Sequence, residues 1–179
     1  QDFQVDFTDE DNVNGSGVTR RFYQVIDFDG SDDYVDLGNS FGGLSNLTIE
    51  YWIYVKSAPS GTFVDLLSKD LTIATALKKV GSEIYPHSNF GDGTTWRSGR
   101  ESNNPIPLNQ WTHISHTRNS SGVEKIYING ELQSLNDTTY PGQNFDWGYN
   151  VSGETMYIGR RGHSNAYLYD GIMAHYHWI

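Results

Sequence analysis

Lys125-Ile126-Tyr127-Ile128-Asn129-Gly130-Glu131-Leu132 reads as a β-hairpin. Asn-Gly is the preferred central pair of a type I′ turn, because both positions take positive φ and the turn twists as the flanking strands do. Side chains alternate along a strand, so Ile126 and Ile128 share one face while Lys125, Tyr127 and Asn129 share the other. One side is apolar and one wettable, as expected of an antiparallel sheet that covers a core with one face only.

The same pattern continues in both directions. Strands are expected at Phe22–Phe28, Tyr34–Leu37, Leu47–Val55, Thr62–Ser68 and Leu71–Leu77, then at Glu83–Phe90, Trp111–Arg118, Val123–Asn129, Thr155–Arg160 and Ala166–Ile179. Breakers separate them, among them Asp29-Gly30, Pro59-Ser60-Gly61, Asp92-Gly93 and Ser120-Ser121-Gly122. Short runs rich in Val, Ile, Tyr and Trp, spaced by turn residues, define an all-β chain folded as an antiparallel two-sheet β-sandwich. Residues 72–80 carry a helix-like spacing, but the β-branched Thr72, Ile73 and Thr75 favour a strand. Residues 1–21 are polar and read as an N-terminal arm or linker, and residues 22–179 as the sandwich. The alternative for the arm is a first strand in which Phe3, Val5 and Phe7 alternate.

The 179 residues suit one domain. A formal charge of −10 lacks the basic face that neutralises phosphates, which argues against nucleic acid and against docking on anionic lipid. The absence of Cys removes disulfides, thiolate metal sites and Cys nucleophiles. No apolar run approaches the roughly 20 residues of a membrane helix. Gln1-Asp2-Phe3 has neither the basic start nor the apolar segment of a signal peptide.

Three ordered stretches carry a resemblance. They are Val25-Ile26-Asp27-Phe28-Asp29-Gly30-Ser31-Asp32-Asp33-Tyr34-Val35-Asp36-Leu37-Gly38, then Leu47-Thr48-Ile49-Glu50-Tyr51-Trp52-Ile53-Tyr54-Val55, then Gln110-Trp111-Thr112-His113-Ile114-Ser115 followed by the hairpin. Met156-Tyr157-Ile158-Gly159-Arg160 with Tyr169-Asp170-Gly171-Ile172 is a fainter fourth. Together they resemble the laminin-G-like jelly rolls of the concanavalin A-like lectin/glucanase superfamily. The resemblance implies two packed sheets of about a dozen strands, and a domain that binds glycans or proteins, often around calcium, in secreted, cell-surface and virion proteins. The last strand departs from it. The family's usual Ile-Asp-Glu-Val-Arg-Ile is replaced by Ile172-Met173-Ala174-His175-Tyr176-His177-Trp178-Ile179, so no role of those acidic residues carries over.

Candidate sites follow from side-chain chemistry. Asp27, Asp29, Asp32, Asp33 and Asp36 crowd one turn, and calcium takes six to eight oxygens from such loops. Asp32 and Asp33 are the expected ligands of a Ca2+ ion; the alternative is a solvated turn in which Asp29 and Asp32 bond neighbouring N–H groups. Retaining glycoside hydrolysis needs two carboxyls about 5–5.5 Å apart. Glu50 and Asp65 each stand alone on their strands, so no catalytic pair is expected. His175 and His177 are expected to share a strand face, which suits a metal only with a third ligand. No Gly-x-Ser-x-Gly elbow is present.

An aromatic loop is the expected ligand site. Tyr85, Trp96, Arg97, Arg100 and Asn103 flank Asp92-Gly93, and sugars stack on flat aromatic faces while charged and amide groups hold their hydroxyls. Tyr140, Trp147 and Tyr149 form a second aromatic segment. The alternative is an interface with a neighbouring subunit, since Trp, Tyr and Arg are equally interface residues. Sequons at Asn14, Asn46, Asn119, Asn136 and Asn150 are glycosylation sites if the source is eukaryotic. The missing Cys and the Asp-Gly-Ser-Asp-Asp-Tyr-Val style instead resemble marine bacterial and phage structural proteins. The expected function is a non-catalytic carbohydrate-binding or adhesion module, extracellular or on a cell or virion surface. The alternative is a decoration or assembly domain of a phage particle or extracellular filament, contacting other subunits.

Overall fold

A computed structural model describes residues 3–4, 8–9, 22–23, 25–39, 46–137, 154–162 and 166–178. Among them there is no helix and sixteen strands. In chain order these are β1 (Phe3–Gln4), β2 (Thr8–Asp9), β3 (Phe22–Tyr23), β4 (Val25–Asp29), β5 (Val35–Asp36), β6 (Leu47–Val55), β7 (Phe63–Lys69) and β8 (Ile73–Val80). They continue with β9 (Glu83–Gly91), β10 (Trp96–Ser102), β11 (Trp111–Arg118), β12 (Glu124–Ile128), β13 (Glu131–Leu132), β14 (Leu135–Asp137), β15 (Met156–Ile158) and β16 (Asp170–Trp178). The two-sheet antiparallel sandwich expected from the sequence is present. One sheet runs β1-β16-β6-β11-β12-β13, with β4 also on β16; the other runs β14-β10-β9-β8-β7-β15-β5; β2 and β3 form a separate ribbon.

The quoted hairpin forms as read. Tyr127 faces Leu132 and Ile128 faces Glu131, with Asn129 at φ 50° and Gly130 at φ 82°. The Asn129 side-chain oxygen accepts from the His113 N–H at 2.9 Å, which ties the turn to β11. β6 shows the cleanest alternation: Leu47, Ile49, Tyr51, Ile53 and Val55 are buried, while Thr48, Glu50, Trp52 and Tyr54 face away from the core. They meet Leu66, Leu67, Ile73, Leu77 and Phe90 of the second sheet in one cluster. Each such side chain contributes on the order of 1.5–3 kcal/mol by leaving water.

Burial differs between the sheets. In β7, β8 and β9 most residues are buried, in runs that include neighbours on opposite faces, so both faces of the second sheet are covered over much of its middle strands. β8 is a strand despite its helical spacing, because β9 pairs with it along its whole length and β7 over Ile73 to Lys78. Near the start of the chain, Phe3 and Gln4 pair with Trp178 and His177 of β16. The rest of segment 1–21, apart from Thr8 and Asp9, lies outside the described residues, as do Tyr140, Trp147, Tyr149 and His163.

Candidate functional site

The outer face of β7–β10 is hollowed into a cleft of about 400 Å3. Its floor follows from strand register. Ala74 faces Asn89, which faces Gly99; Asp65 faces Ala76, which faces His87, which faces Glu101. Two alanines and a glycine at the centre leave room above the sheet, and larger polar groups stand around them. Phe63, Asp65, Lys78, His87, Asn89, Trp96, Arg161 and Tyr167 line the hollow.

The far wall comes from residues 159–162 and 166–169. Strand β7 bulges between Asp65 and Leu67. Next to it, the Asp65 N–H donates to the Tyr167 carbonyl at 2.9 Å and the Gly159 N–H to that of Leu66 at 3.0 Å. A bulge leaves ladder groups free, and here the wall uses them. Gly162 lies against the β7–β8 turn, where an added Cβ would sit 2.7 Å from the Asp70 nitrogen. Only glycine lets the chain pass this closely, and the passage sets Arg161 beside the cleft. The Arg161 guanidinium lies 4.9 Å from the Tyr167 ring centroid, and Tyr167 holds φ at 57°, an uncommon value for a bulky residue. Phe63 braces the same region, 5.1 Å from the His87 ring and 6.4 Å from that of Tyr167.

The cleft is electrostatically unusual. Burial pushes the Asp65 carboxyl up to about 7; the Arg161 charge and a hydrogen bond from Ser68 oppose the rise, and Asp70 adds to it. Burial drives His87 down to about 4, with a contribution from the Lys78 charge and against the influence of the neighbouring Asn89 amide. At neutral pH His87 is therefore an uncharged imidazole. His87 Nδ1 and Asn89 Oδ1 are buried without a protein hydrogen-bond partner. Such groups are costly unless something satisfies them. Lys78 is engaged by Glu101 at 2.6 Å.

The structure distributes the residues expected to bind ligand. Trp96 lines the cleft, and Tyr85 stands one step along β9 from His87 with its hydroxyl donating to Glu83 at 2.6 Å. Arg97 is exposed and paired with Asp92, whose carboxyl is held well below the usual range by hydrogen bonds led by that of the Thr94 side chain. Arg100 lies opposite Ser88, on the alternate face from Gly99 and Glu101, and its charge acts on Glu124. Asn103 follows β10, with its N–H donating to Ser134 O at 2.9 Å. The segment read as a loop is strand β10. Ser98 and Ser102, both buried, replace the apolar residues that mark a strand, and Ser98 bonds to Glu124.

In the sequence Asp65 stands out only as a lone carboxylate without a catalytic partner, and Arg161 and Tyr167 are not marked at all. The available signal was Asp65 itself, a carboxylate within Phe-Val-Asp-Leu-Leu, where a buried charge demands a reason.

Elsewhere, Asp29, Asp32 and Asp33 are exposed and offer ligand oxygens within 4.8 Å of one another, which adds Asp29 to the expected pair. Two of the three also serve the turn: Asp29 accepts from the Ser31 N–H at 2.7 Å, and Asp33 from the Asp29 N–H at 3.0 Å. Glu50 lies on the outer face of the opposite sheet, 3.3 Å from His177 and 3.9 Å from His113. His175 is the extra residue of a bulge, at φ 50°, so the alternation that would pair it with His177 is interrupted. Among the sequons, Asn46, Asn119 and Asn136 are exposed, while Asn14 and Asn150 lie outside the described residues. The Asn46 and Asn119 side-chain oxygens accept backbone N–H groups of the 120–123 turn.

Two packed antiparallel sheets with a hollowed outer face define a lectin-like jelly roll. The laminin G family model described as the concanavalin A-like lectin/glucanases superfamily matches residues 29–178, and the chain belongs to that family. Solved structures share the fold. The heptameric SAP-like pentraxin of Limulus polyphemus superposes with a TM-score of 0.65 at 16% identity, over 86% of this chain and 74% of that one. The CBM40 of the Ruminococcus gnavus IT-sialidase gives 0.53 at 16% identity, over 74% and 76%. The LG1–3 region of the laminin α2 chain gives 0.54 at 18%, over 84% of this chain and 30% of that one. At these identities the likeness concerns the fold alone. No curated protein matches the sequence.

Proposed function

We propose that this domain is a non-catalytic carbohydrate-binding or adhesion module of an extracellular, cell-surface or virion-surface protein, with its glycan in the β7–β10 cleft. The observation that carries this reading is the cleft's construction. Aromatic walls at Trp96, Phe63 and Tyr167 surround buried polar atoms of His87 and Asn89 that have no protein partner. Sugar C–H faces stack on the rings, and polar lining groups such as Lys78 and Arg161 hold the hydroxyls.

The carboxylate geometry supports binding without cleavage. Asp65 and Glu101 lie on one cross-strand row, separated by Ala76 and His87. Three strand spacings place their backbones roughly 14 Å apart, too far for the close pair of a retaining enzyme, and Glu101 is already paired with Lys78. A glycan array at pH 6 should give binding that Trp96→Ala reduces at least tenfold with unchanged far-UV circular dichroism. Undiminished binding by the variant would remove the cleft from the reading. Release of reducing sugar would remove its non-catalytic part.

Calcium is the proposed cofactor of the β4–β5 turn. Asp29, Asp32 and Asp33 supply three carboxylates of the six to eight oxygens the ion takes, and backbone carbonyls and water would supply the others. Millimolar Ca2+ should raise the melting temperature by a few degrees, and Asp32→Asn with Asp33→Asn should abolish the rise. An equal rise in the double variant would exclude the turn as the site.

A second reading rests on the opposite sheet, where Trp52 and Trp111 are 41% and 43% exposed on the outer face. Exposed indoles of this kind suit contact with other subunits of a particle or filament. Co-purification with an assembly, lost on Trp52→Ser with Trp111→Ser and kept by Trp96→Ala, would favour it.

A further inference from the structure

We infer that the cleft selects an acidic glycan, a hexuronate-bearing chain whose carboxylate docks on Arg161. This rests on the proposed glycan-binding role and names the ligand class. Two observations carry the docking of a carboxylate on Arg161. Among the described residues no carboxylate forms a close ion pair with Arg161, whereas Lys78 is held by Glu101 at 2.6 Å. The guanidinium is also fixed in place, over the Tyr167 ring at 4.9 Å and on a backbone anchored by the Arg161 N–H to Ala166 O bond of 3.1 Å. A planar carboxylate matches a guanidinium fork with two parallel hydrogen bonds, and a neutral sugar has no such group.

Asp65 lines the same cleft as Arg161, and the two charges interact. Ionised, it competes for the guanidinium and repels an acidic sugar. Protonated, it leaves one uncompensated positive charge and becomes a hydrogen-bond donor. The charged and titratable groups around it are Arg161 and Tyr167 on the wall, Asp70 after β7, Lys78 on β8, His87 on β9 and Glu101 on β10. His87 stays neutral between pH 5.5 and 8, because its value is about 4. Asp65, with a value of about 7, changes state within that interval. Its protonated fraction falls roughly tenfold from pH 5.5 to pH 8, while a uronate remains ionised throughout.

The test is calorimetric titration of the whole chain with hexamers of galacturonate, mannuronate, guluronate and hyaluronate, against cellohexaose and laminarihexaose, at pH 5.5 and 8. At least one acidic hexamer is expected to bind, about tenfold more tightly at pH 5.5. Arg161→Ala should abolish this binding, and Asp65→Asn should retain the tight affinity at both pH values. Neutral hexamers binding as well as acidic ones, or acidic binding indifferent to pH, would overturn the inference and leave the glycan-binding role standing. No binding of any hexamer would overturn both. Thermal melts of each variant show whether a lost signal reflects a lost fold.

Discussion

Four buried ionisable groups pull the acid stability of this protein in opposite directions. Asp65 and Glu124 have carboxyls raised to about 7 by burial, so the folded state keeps protons there that the unfolded chain gives up near pH 4. Their contribution is full at low pH and is lost as pH rises through 7. His87 and His116 are lowered by burial to about 4 and about 3, so the unfolded chain takes up protons below about 6.5 that the folded state refuses. Their contribution is full above that pH and is lost as pH falls. Between about pH 5 and 6.5 the two carboxyls and the two imidazoles offset each other, and stability should be nearly flat. Asp65→Asn removes one carboxyl from the balance, and stability of the variant should then climb with pH by up to ~1.4 kcal/mol per unit in that window. Urea denaturation at pH 5.0 and 6.5 measures the slopes; equal slopes in variant and parent would show that Asp65 does not hold its proton in the fold.

Hairpins and bulges account for what was legible in the sequence at the level of elements. The β12–β13 hairpin was legible because Asn-Gly has few other uses and because Ile126 and Ile128 alternate with polar neighbours. Gly130, at φ 82°, has nothing within 4 Å of where a Cβ would stand. Gly130→Ala should therefore cost about 1 kcal/mol through backbone strain alone and leave glycan affinity unchanged. A loss much above that, or one accompanied by weaker binding, would mean the turn supports more than its own hairpin. β10 was illegible for the opposite reason. Its inward positions are Ser98 and Ser102, and a strand whose buried face is polar has the composition of a loop. The wall of the cleft was equally hidden, since Arg161 and Tyr167 reach Asp65 only through a bulge and a close glycine passage, neither of which leaves a periodic mark.

For the whole molecule, periodicity conveyed the architecture and could not convey its concavity. Alternation specifies which residues face inward, but the β7–β9 strands are buried on both faces, so the cleft floor reads as core. Trp96 was found because aromatic residues beside arginines signal a ligand whatever element holds them, and Arg97 and Arg100, chosen by the same reasoning, are committed to Asp92 and directed toward Glu124. The order of strands in the first sheet has one further consequence. β16 lies between β6 on one side and β1 and β4 on the other, so β4 joins the hydrogen-bonded ladder of β6 only through a strand more than 110 residues further along the chain than β6. During synthesis that sheet stays split until residues 170–178 have left the ribosome. Folding must wait for a long-range closure, and the exposed edges of β4 and β6 are the surfaces a chaperone would have to guard meanwhile.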